Sequence, residues 1–484
     1  MEKQTSIKAN FSYNLIYSII NIIVPLITAP YTSRVLGAAN IGIYSYTYSY
    51  VSTVIMLGAL GTSTYGQKEI SAVRNDMEQR STVFWEVYIV RIAATLIAIL
   101  AFVPFMYSSG YLKWFLIEIP FFIAALFDVS WFFQGMEQFK LIAVRNALVR
   151  LAGVVLLLLL VKTDEHLWIY LLIIGLSQLI GNMTYWPYLK GRVIWTGLRW
   201  NRIVKHFKGA LVYFIPSIAY QIYAVLDKAM LGLLVGSDYE NGYYEQAYKI
   251  INMVVTVFTS YTVVMRSRMS YLFAKKDYAE IKSRMEKSGN FIALLIFPMA
   301  AGLAATARGL VPWFFGDGYD QVVILLIIFS PIIVFMGYVH LLGTHLLTPS
   351  GRQGKSNIAQ CVAAVANVGM NAVLIPKYYS AGAAVASVLS QLIIMIIYFW
   401  HVRREYTVLD ALRTGWKKMV SSLFMFIVVY FVQMHLPISI ISSMIEVGLG
   451  VVVYISVLLI IRDEFTRMSI VNVLENMKDR FHKK

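Results

Sequence analysis

Basic side chains lie within or at the ends of long apolar segments of this sequence, where a charge is costly to bury. Six residues share this placement: Arg34, Arg91, Arg150, Lys228, Lys249 and Arg308. The guanidinium group of arginine forms two parallel hydrogen bonds with a phosphate, and the lysine ammonium group attracts it as a point charge. The sequence therefore predicts a cationic cavity that binds an anionic, phosphate-bearing group.

Three acidic residues, Asp128, Asp227 and Glu245, lie in the same segments, where an ionisable group usually faces the interior of a helix bundle or a wet cavity. Internal ion pairing is the alternative for each of them. Glu245 precedes Lys249 by four residues, the favourable order for a pair on one helix, and Asp227 adjoins Lys228. Both interpretations remain open at this point.

Aromatic side chains near these charges are candidates for contact with sugar rings. We select Tyr48 and Tyr248 as sugar-contact candidates, and Tyr44 shares a helix face with Tyr48. The alternative is a belt of tyrosines at the membrane interface. We expect Trp131, near the end of an apolar segment, to be an interfacial anchor of this kind.

Several classes of chemistry lack the residues that they require. Cys361 is the single cysteine, so no intramolecular disulfide can form, and no cysteine–histidine cluster has zinc-ligand spacing. The loops are too short for a catalytic domain, and we assign no catalytic residue. The segment 349–356 ends in Gly-Lys-Ser but lacks the first glycine of a phosphate-binding loop. We predict a protein without a metal or organic cofactor that is not an enzyme.

The composition indicates the elements that must position these residues. Of 484 residues, 58% are hydrophobic and 14% charged, whereas a soluble protein is about one quarter charged. A membrane helix needs about 20 mainly apolar residues, and about fourteen stretches satisfy this requirement. They lie near 11–35, 41–63, 84–107, 112–133, 140–161, 167–189, 209–235, 243–265, 289–315, 321–346, 357–375, 382–401, 416–435 and 439–461. We predict an all-α polytopic membrane protein.

The distribution of lysine and arginine predicts the orientation. With the N-terminus in the cytoplasm, most of the 42 basic residues fall in inner loops. The predicted outer loops hold only four of them: Arg34, Lys113, Lys162 and Lys377. We predict a multi-pass protein of the inner, cytoplasmic membrane with both termini in the cytoplasm. This placement accounts for most of the net charge of +16 without a nucleic-acid partner.

An internal repeat organises the spans. The pattern Leu36-Gly37, Gly42-Ile43-Tyr44 returns about 200 residues later as Val235-Gly236, Gly242-Tyr243-Tyr244. In each copy it joins the first two helices of a six-helix block. We therefore predict two pseudo-symmetric lobes, at 1–200 and 201–410, followed by two further spans and a basic tail at 411–484. The substrate of such two-lobed transporters lies between the lobes.

Short motifs, taken in their order along the chain, resemble a known family. They are Ala29–Gly37, Gly42–Ser45, Leu57–Gly61, Gly66–Ile70, Trp131–Glu137 with Arg145-Asn146, and Gly242–Tyr244 with Ala247–Lys249. They resemble the Wzx-type polysaccharide flippases of the multidrug/oligosaccharidyl-lipid/polysaccharide exporter superfamily.

The resemblance implies a V-shaped fold that works by alternating access. It implies an oligosaccharide linked to undecaprenyl pyrophosphate as substrate, moved from the inner to the outer leaflet for assembly of a surface polysaccharide. It also implies proton or sodium coupling, for which Asp227, Glu245 and Asp128 are the candidates, and a polysaccharide polymerase as a partner. Two alternatives stay open: a multidrug exporter of the same superfamily, and a membrane-embedded polymerase or transferase.

Overall fold

The computed structural model describes residues 7–469 and 471, and excludes the side chains of 7–22, 215–224, 260–264 and 267. Within these residues the regular elements are helical and none is a strand. The α-helices are α1 (Ile7–Ala59), α2 (Thr62–Val73), α3 (Met77–Ser108), α4 (Leu112–Ile117), α5 (Ile119–Phe127), α6 (Ser130–Gly135), α7 (Phe139–Leu160), α8 (Leu167–Met183), α9 (Trp200–Val235), α10 (Asp238–Lys275), α11 (Tyr278–Phe315), α12 (Asp320–Leu342), α13 (Gln353–Val402), α14 (Val408–Gln433) and α15 (Ile440–Ile460). Short 3₁₀ segments at Asp164–His166 and Trp186–Leu189 flank α8, and a π-helical turn, Gly343–Leu347, follows α12.

The predicted apolar stretches all fall on these helical segments. Two helices each contain two of the stretches: α1 turns at Gly37 (φ 75°), and α13 turns at Tyr379 (φ 53°). Among the described residues, nine helical segments are long and apolar enough to cross a membrane. The all-α, multi-pass membrane class is confirmed, and the number of fourteen spans stays a prediction.

The chain divides into two compact units. The first comprises the chain up to Glu245 together with Val368–Ala383, and the second comprises Gln246–Asn367 and the chain from Ala384 onwards. The predicted lobe boundaries near residues 200 and 410 stay a prediction.

The first unit is built on aromatic packing around α1. Phe102, Phe115 and Phe121 are buried against the α1 residues Val51 and Val54. Each fully buried phenylalanine or valine side chain contributes roughly 1.5–3 kcal/mol to stability when it leaves water. Such clusters therefore fix the positions of the helices.

Trp131 corrects one expectation. It is fully buried, not interfacial, and its ring lies 5.6 Å from that of Phe84. The reason is Gly66, where a Cβ atom would lie 2.5 Å from Trp131 Cε3. The glycine leaves room on α2 for the indole to enter the core.

The second unit packs α11 against α12, α14 and α15. Met425, Val429, Tyr454 and Leu458 form a buried cluster there. Caps fix where several helices begin. In α14, for example, Thr407 and Asp410 exchange side-chain-to-backbone hydrogen bonds in a capping box.

Candidate functional site

The two copies of the repeat share a glycine with positive φ at the corner between their helices. Gly37 has φ 75° inside α1, and Gly236 has φ 67° at the C-terminal cap of α9. Residues other than glycine rarely adopt this backbone conformation. The positive φ at each corner therefore explains why both copies of the repeat carry a glycine at this position.

Beyond each corner, a second glycine lets the backbones of α1 and α10 touch. A Cβ atom on Gly42 would lie 1.6 Å from the Asp238 carbonyl oxygen, and one on Gly242 would lie 1.9 Å from that of Ala38. The contacts are reciprocal, because each repeat glycine meets the start of the other copy. We call this contact, made by residues 38–42 and 238–242, the glycine crossing.

An ion pair lies one helical turn beyond the glycine crossing. Glu245 accepts a hydrogen bond from Ser45 Oγ (3.1 Å) and pairs with Lys228 Nζ at 2.5 Å through the same oxygen, Oε2. Positions 45 and 245 are equivalent in the repeat, so the Ser45 contact also joins matching positions. Lys228 and Glu245, predicted for different roles, are thus brought together, as the ion-pair alternative allowed.

Asp227 faces a different set of partners. Its carboxylate accepts hydrogen bonds from the Tyr244 hydroxyl (2.6 Å) and from Asn371 Nδ2 (2.5 Å), and the residue is buried. These contacts connect α9 to α10 and to the part of α13 that belongs to the first unit. The Asp227 carboxylate therefore contacts Tyr244 and Asn371, whereas the adjacent Lys228 pairs with Glu245.

Arg91 and Asp128 form another ion pair of the first unit, in which the arginine is buried and the aspartate half-buried. Their side chains are 2.7 Å apart, between Arg91 Nη2 and Asp128 Oδ2. Arg91 also donates to Ser63 Oγ (3.0 Å) and to Thr62 Oγ1 (3.3 Å), and its side chain is 4% exposed. An arginine with this many scaffold partners joins α3 to α2 and to the break between α5 and α6.

The other predicted site residues are dispersed. Arg34 and Arg308 are exposed, while Arg150 and Lys249 are half-buried. In the second unit, Arg308 Nη1 lies 3.4 Å from the Tyr430 hydroxyl. The structure leaves the substrate roles of all six basic residues as predictions.

The two tyrosines predicted to meet sugar lie among other rings. The ring of Tyr48 stacks on Tyr44 at 5.4 Å and lies 5.1 Å from Phe121. In the second unit, Tyr248 lies 6.1 Å from Phe329. Each is half-buried, and their contact with sugar stays a prediction.

Glu118 is a buried acid that the sequence reasoning did not select. It lies fully buried between α4 and α5, and Thr47 Oγ1 donates to its Oε1 at 3.1 Å. Its other oxygen, Oε2, has no hydrogen-bond partner among the described residues. The signal was an acidic residue two positions before Pro120 in an apolar run. In the described part of the chain, no group of three or more metal-ligating side chains comes together.

Comparison with known proteins decides the family. A model of the family described as polysaccharide biosynthesis protein matches residues 7–270, more than half of the chain. The chain belongs to this family. A protein of Escherichia coli (strain K12) named "Putative O-antigen transporter" is 25% identical over 339 residues, covering 68% of this chain and 80% of that protein.

Solved structures of the same superfamily share the fold. A lipid II flippase, MurJ, in an inward closed conformation has a TM-score of 0.66 at 15% identity, covering 90% of this chain and 99% of that one. A multidrug resistance MATE family transporter, inward-facing, has a TM-score of 0.60 at 14% identity, covering 80% and 94%. The predicted membership of this exporter superfamily is confirmed, as is the prediction of a transporter rather than an enzyme.

Proposed function

We propose that this polysaccharide biosynthesis protein is a flippase that moves an oligosaccharide linked to undecaprenyl pyrophosphate from the inner to the outer leaflet of the cytoplasmic membrane. The family match and the fold shared with a lipid II flippase support this substrate class. The geometric observation that carries the proposal is the glycine crossing with its ion pair, a close contact between equivalent helices that alternating access would open.

In the predicted orientation, the glycine crossing lies at the outer ends of its helices, because Gly37 and Gly236 occupy predicted outer loops. A closed crossing blocks release to the outside. Its opening requires the hydrogen bond between Ser45 on α1 and Glu245 on α10 to break, and this leaves the neighbouring Lys228–Glu245 pair, which joins α9 to α10, able to rearrange. Alternating access then consists of making and breaking this contact.

Lys228 has two roles in this scheme. When the crossing is closed, Glu245 neutralises its charge. When the crossing opens, the freed ammonium group meets the pyrophosphate together with Arg34, which is exposed and on the same predicted outer side. Protonation of Glu245 would weaken the pair, so it is our leading coupling residue, ahead of Asp227 and Asp128.

Reconstituted liposomes test the proposal. We expect Lys228→Ala and Arg34→Ala to slow translocation of a lipid-pyrophosphate oligosaccharide by at least tenfold, because each removes a charge from the head group. Lys68→Ala is the matched control, since the Lys68 side chain is 64% exposed and pairs only weakly, at 3.7 Å, with Glu69. Near-normal rates in both test variants would contradict the role of these cations.

The second candidate is export of a small organic cation, favoured by the likeness in fold to a MATE transporter. The same liposomes distinguish it, because cation efflux without movement of the glycolipid would replace the flippase proposal. We further propose that both termini are cytoplasmic and that a polymerase receives the product.

A further inference from the structure

The first unit contains a cavity lined by polar and aromatic side chains, which borders the glycine crossing at Asn40. Its volume is about 640 Å³, within the range of roughly 300–1,000 Å³ that holds small ligands. Its lining includes Asn40, Lys113, Trp114, Glu165, His166 and Trp168. These residues come from three segments, each of which the distribution of basic residues places in an outer loop or at its border.

Hydrogen bonds hold the walls of the cavity in place. Asn40 Nδ2 donates to the Leu36 carbonyl (3.0 Å) and across the chain to the Asp164 carbonyl (2.9 Å). The backbone N–H of Lys162 donates to His166 Nδ1 at 3.0 Å, which orients the imidazole ring. Because the walls are tied by contacts within the unit, the cavity is formed before a ligand arrives.

The floor of the cavity is apolar and well packed. Leu167 is buried in a cluster with Leu36 and Val161, and the indole of Trp114 packs against this cluster. Trp168, by contrast, is 45% exposed. The cavity therefore offers one anchored and one open indole beside a set of polar groups.

This combination suits a sugar. The C–H face of a pyranose ring packs on an indole, and its hydroxyl groups both donate and accept hydrogen bonds. Here the carboxylates of Asp164 and Glu165 accept, and the Lys113 ammonium and the His166 Nε2–H donate, because His166 Nδ1 already accepts from the Lys162 backbone. With two acids against one lysine, the charge favours neutral or amino sugars over acidic ones.

We propose that this cavity is a glycan-binding site for neutral or amino sugar residues, distinct from the cations that meet the pyrophosphate. The inference rests on the proposed function, because the transported oligosaccharide supplies the glycan. On the predicted outer face, the site holds the sugar end of the product after the head group has crossed.

Soluble glycans test the site without transport. The probes are chitotetraose, which is neutral, its fully de-N-acetylated cationic form, and tetragalacturonate, which is anionic. We expect full-length protein in nanodiscs to bind the first two, measured by saturation-transfer NMR and titration calorimetry. We expect tetragalacturonate to bind at least tenfold more weakly, because Asp164 and Glu165 repel it.

Two variants locate the binding. Trp168→Ala and Glu165→Gln should each weaken chitotetraose binding about tenfold, on the order of a binding hot spot, with unchanged thermal unfolding because both side chains are exposed. Trp400→Ala is the control, since Trp400 is 61% exposed and belongs to the second unit.

Absence of saturable binding by every probe, or equal binding by Trp168→Ala and the wild type, would overturn the proposal and leave Trp168 as an interfacial anchor. Glycan binding in a protein that fails to translocate the glycolipid would instead support the cavity and contradict the proposed function. The two failures are therefore distinguishable.

Discussion

We expect a methyl group added at the glycine crossing to destabilise the protein, by an amount that follows from the contact distances there. In Gly42→Ala the new methyl carbon would start 1.6 Å from the Asp238 carbonyl oxygen, whereas ordinary contact begins at 3.4 Å. The obstacle is backbone, so no side-chain rotation relieves it. The start of α10 must move away from α1, and the reciprocal contact of Gly242 with Ala38 must loosen with it.

Overpacking of this kind costs about 1–3 kcal/mol, and a backbone obstacle belongs at the upper end of that range. Alanine regains about 1 kcal/mol over glycine through its helix propensity. We therefore expect the folded protein with a closed crossing to lose about 2 kcal/mol of stability relative to the unfolded chain, which is roughly a 30-fold change in the unfolding equilibrium. Gly369→Ala is the matched control, because a Cβ atom there meets nothing within 4 Å.

Two assays apply to both variants. The midpoint temperature of thermal unfolding in detergent should fall for Gly42→Ala and stay level or rise for Gly369→Ala. Glycolipid translocation should fall with the first variant and persist with the second, since only the first prevents closure. Equal stability and equal transport in the two variants would refute the close approach on which the reasoning depends.

Two further predictions concern buried pairs. Arg91→Met should lower stability by about 1–3 kcal/mol because it leaves the half-buried Asp128 without its cation, and adding Asp128→Leu should recover most of that loss, as a double-mutant cycle of unfolding free energies would measure. In the second unit, burial alone would raise the pKa of Asp463, but hydrogen bonds from Lys418 (2.7 Å) and Thr466 outweigh it and hold that pKa below its usual range. A lowered folded-state pKa stabilises the protein above the unfolded value of about 4 and loses that contribution as the pH falls through the folded value. Unfolding midpoints between pH 7 and pH 3 should therefore drop less in Asp463→Asn than in the wild type, and parallel curves would contradict this.

Length and hydropathy were enough to predict the helices but not their ends. The stretch predicted at 243–265 belongs to α10, which continues to Lys275. Hydropathy reports where a helix lies in lipid, and the helix itself ends where capping and hydrogen bonding end it. The predicted loop at Gly37 is likewise only a turn within α1, since one glycine with positive φ suffices to redirect the chain.

The repeat was predictable because its glycines are a backbone requirement that a sequence displays directly. The pairing of charges was not. Arg91 meets Asp128 from 37 residues away, and Glu245 meets Lys228 of the preceding helix. Such choices depend on which helix faces interlock, and periodicity along a single helix does not contain that information.

The decisive measurement for the proposed flippase activity is a translocation assay in liposomes that contain the purified wild-type chain. The transported molecule in this assay is an oligosaccharide linked to a polyprenyl pyrophosphate. We predict that glycan on the inner leaflet becomes accessible to an impermeant reagent outside, at a rate that rises with the amount of protein and falls in Lys228→Ala. A folded protein that leaves such glycolipids in their original leaflet while it exports organic cations would contradict this prediction.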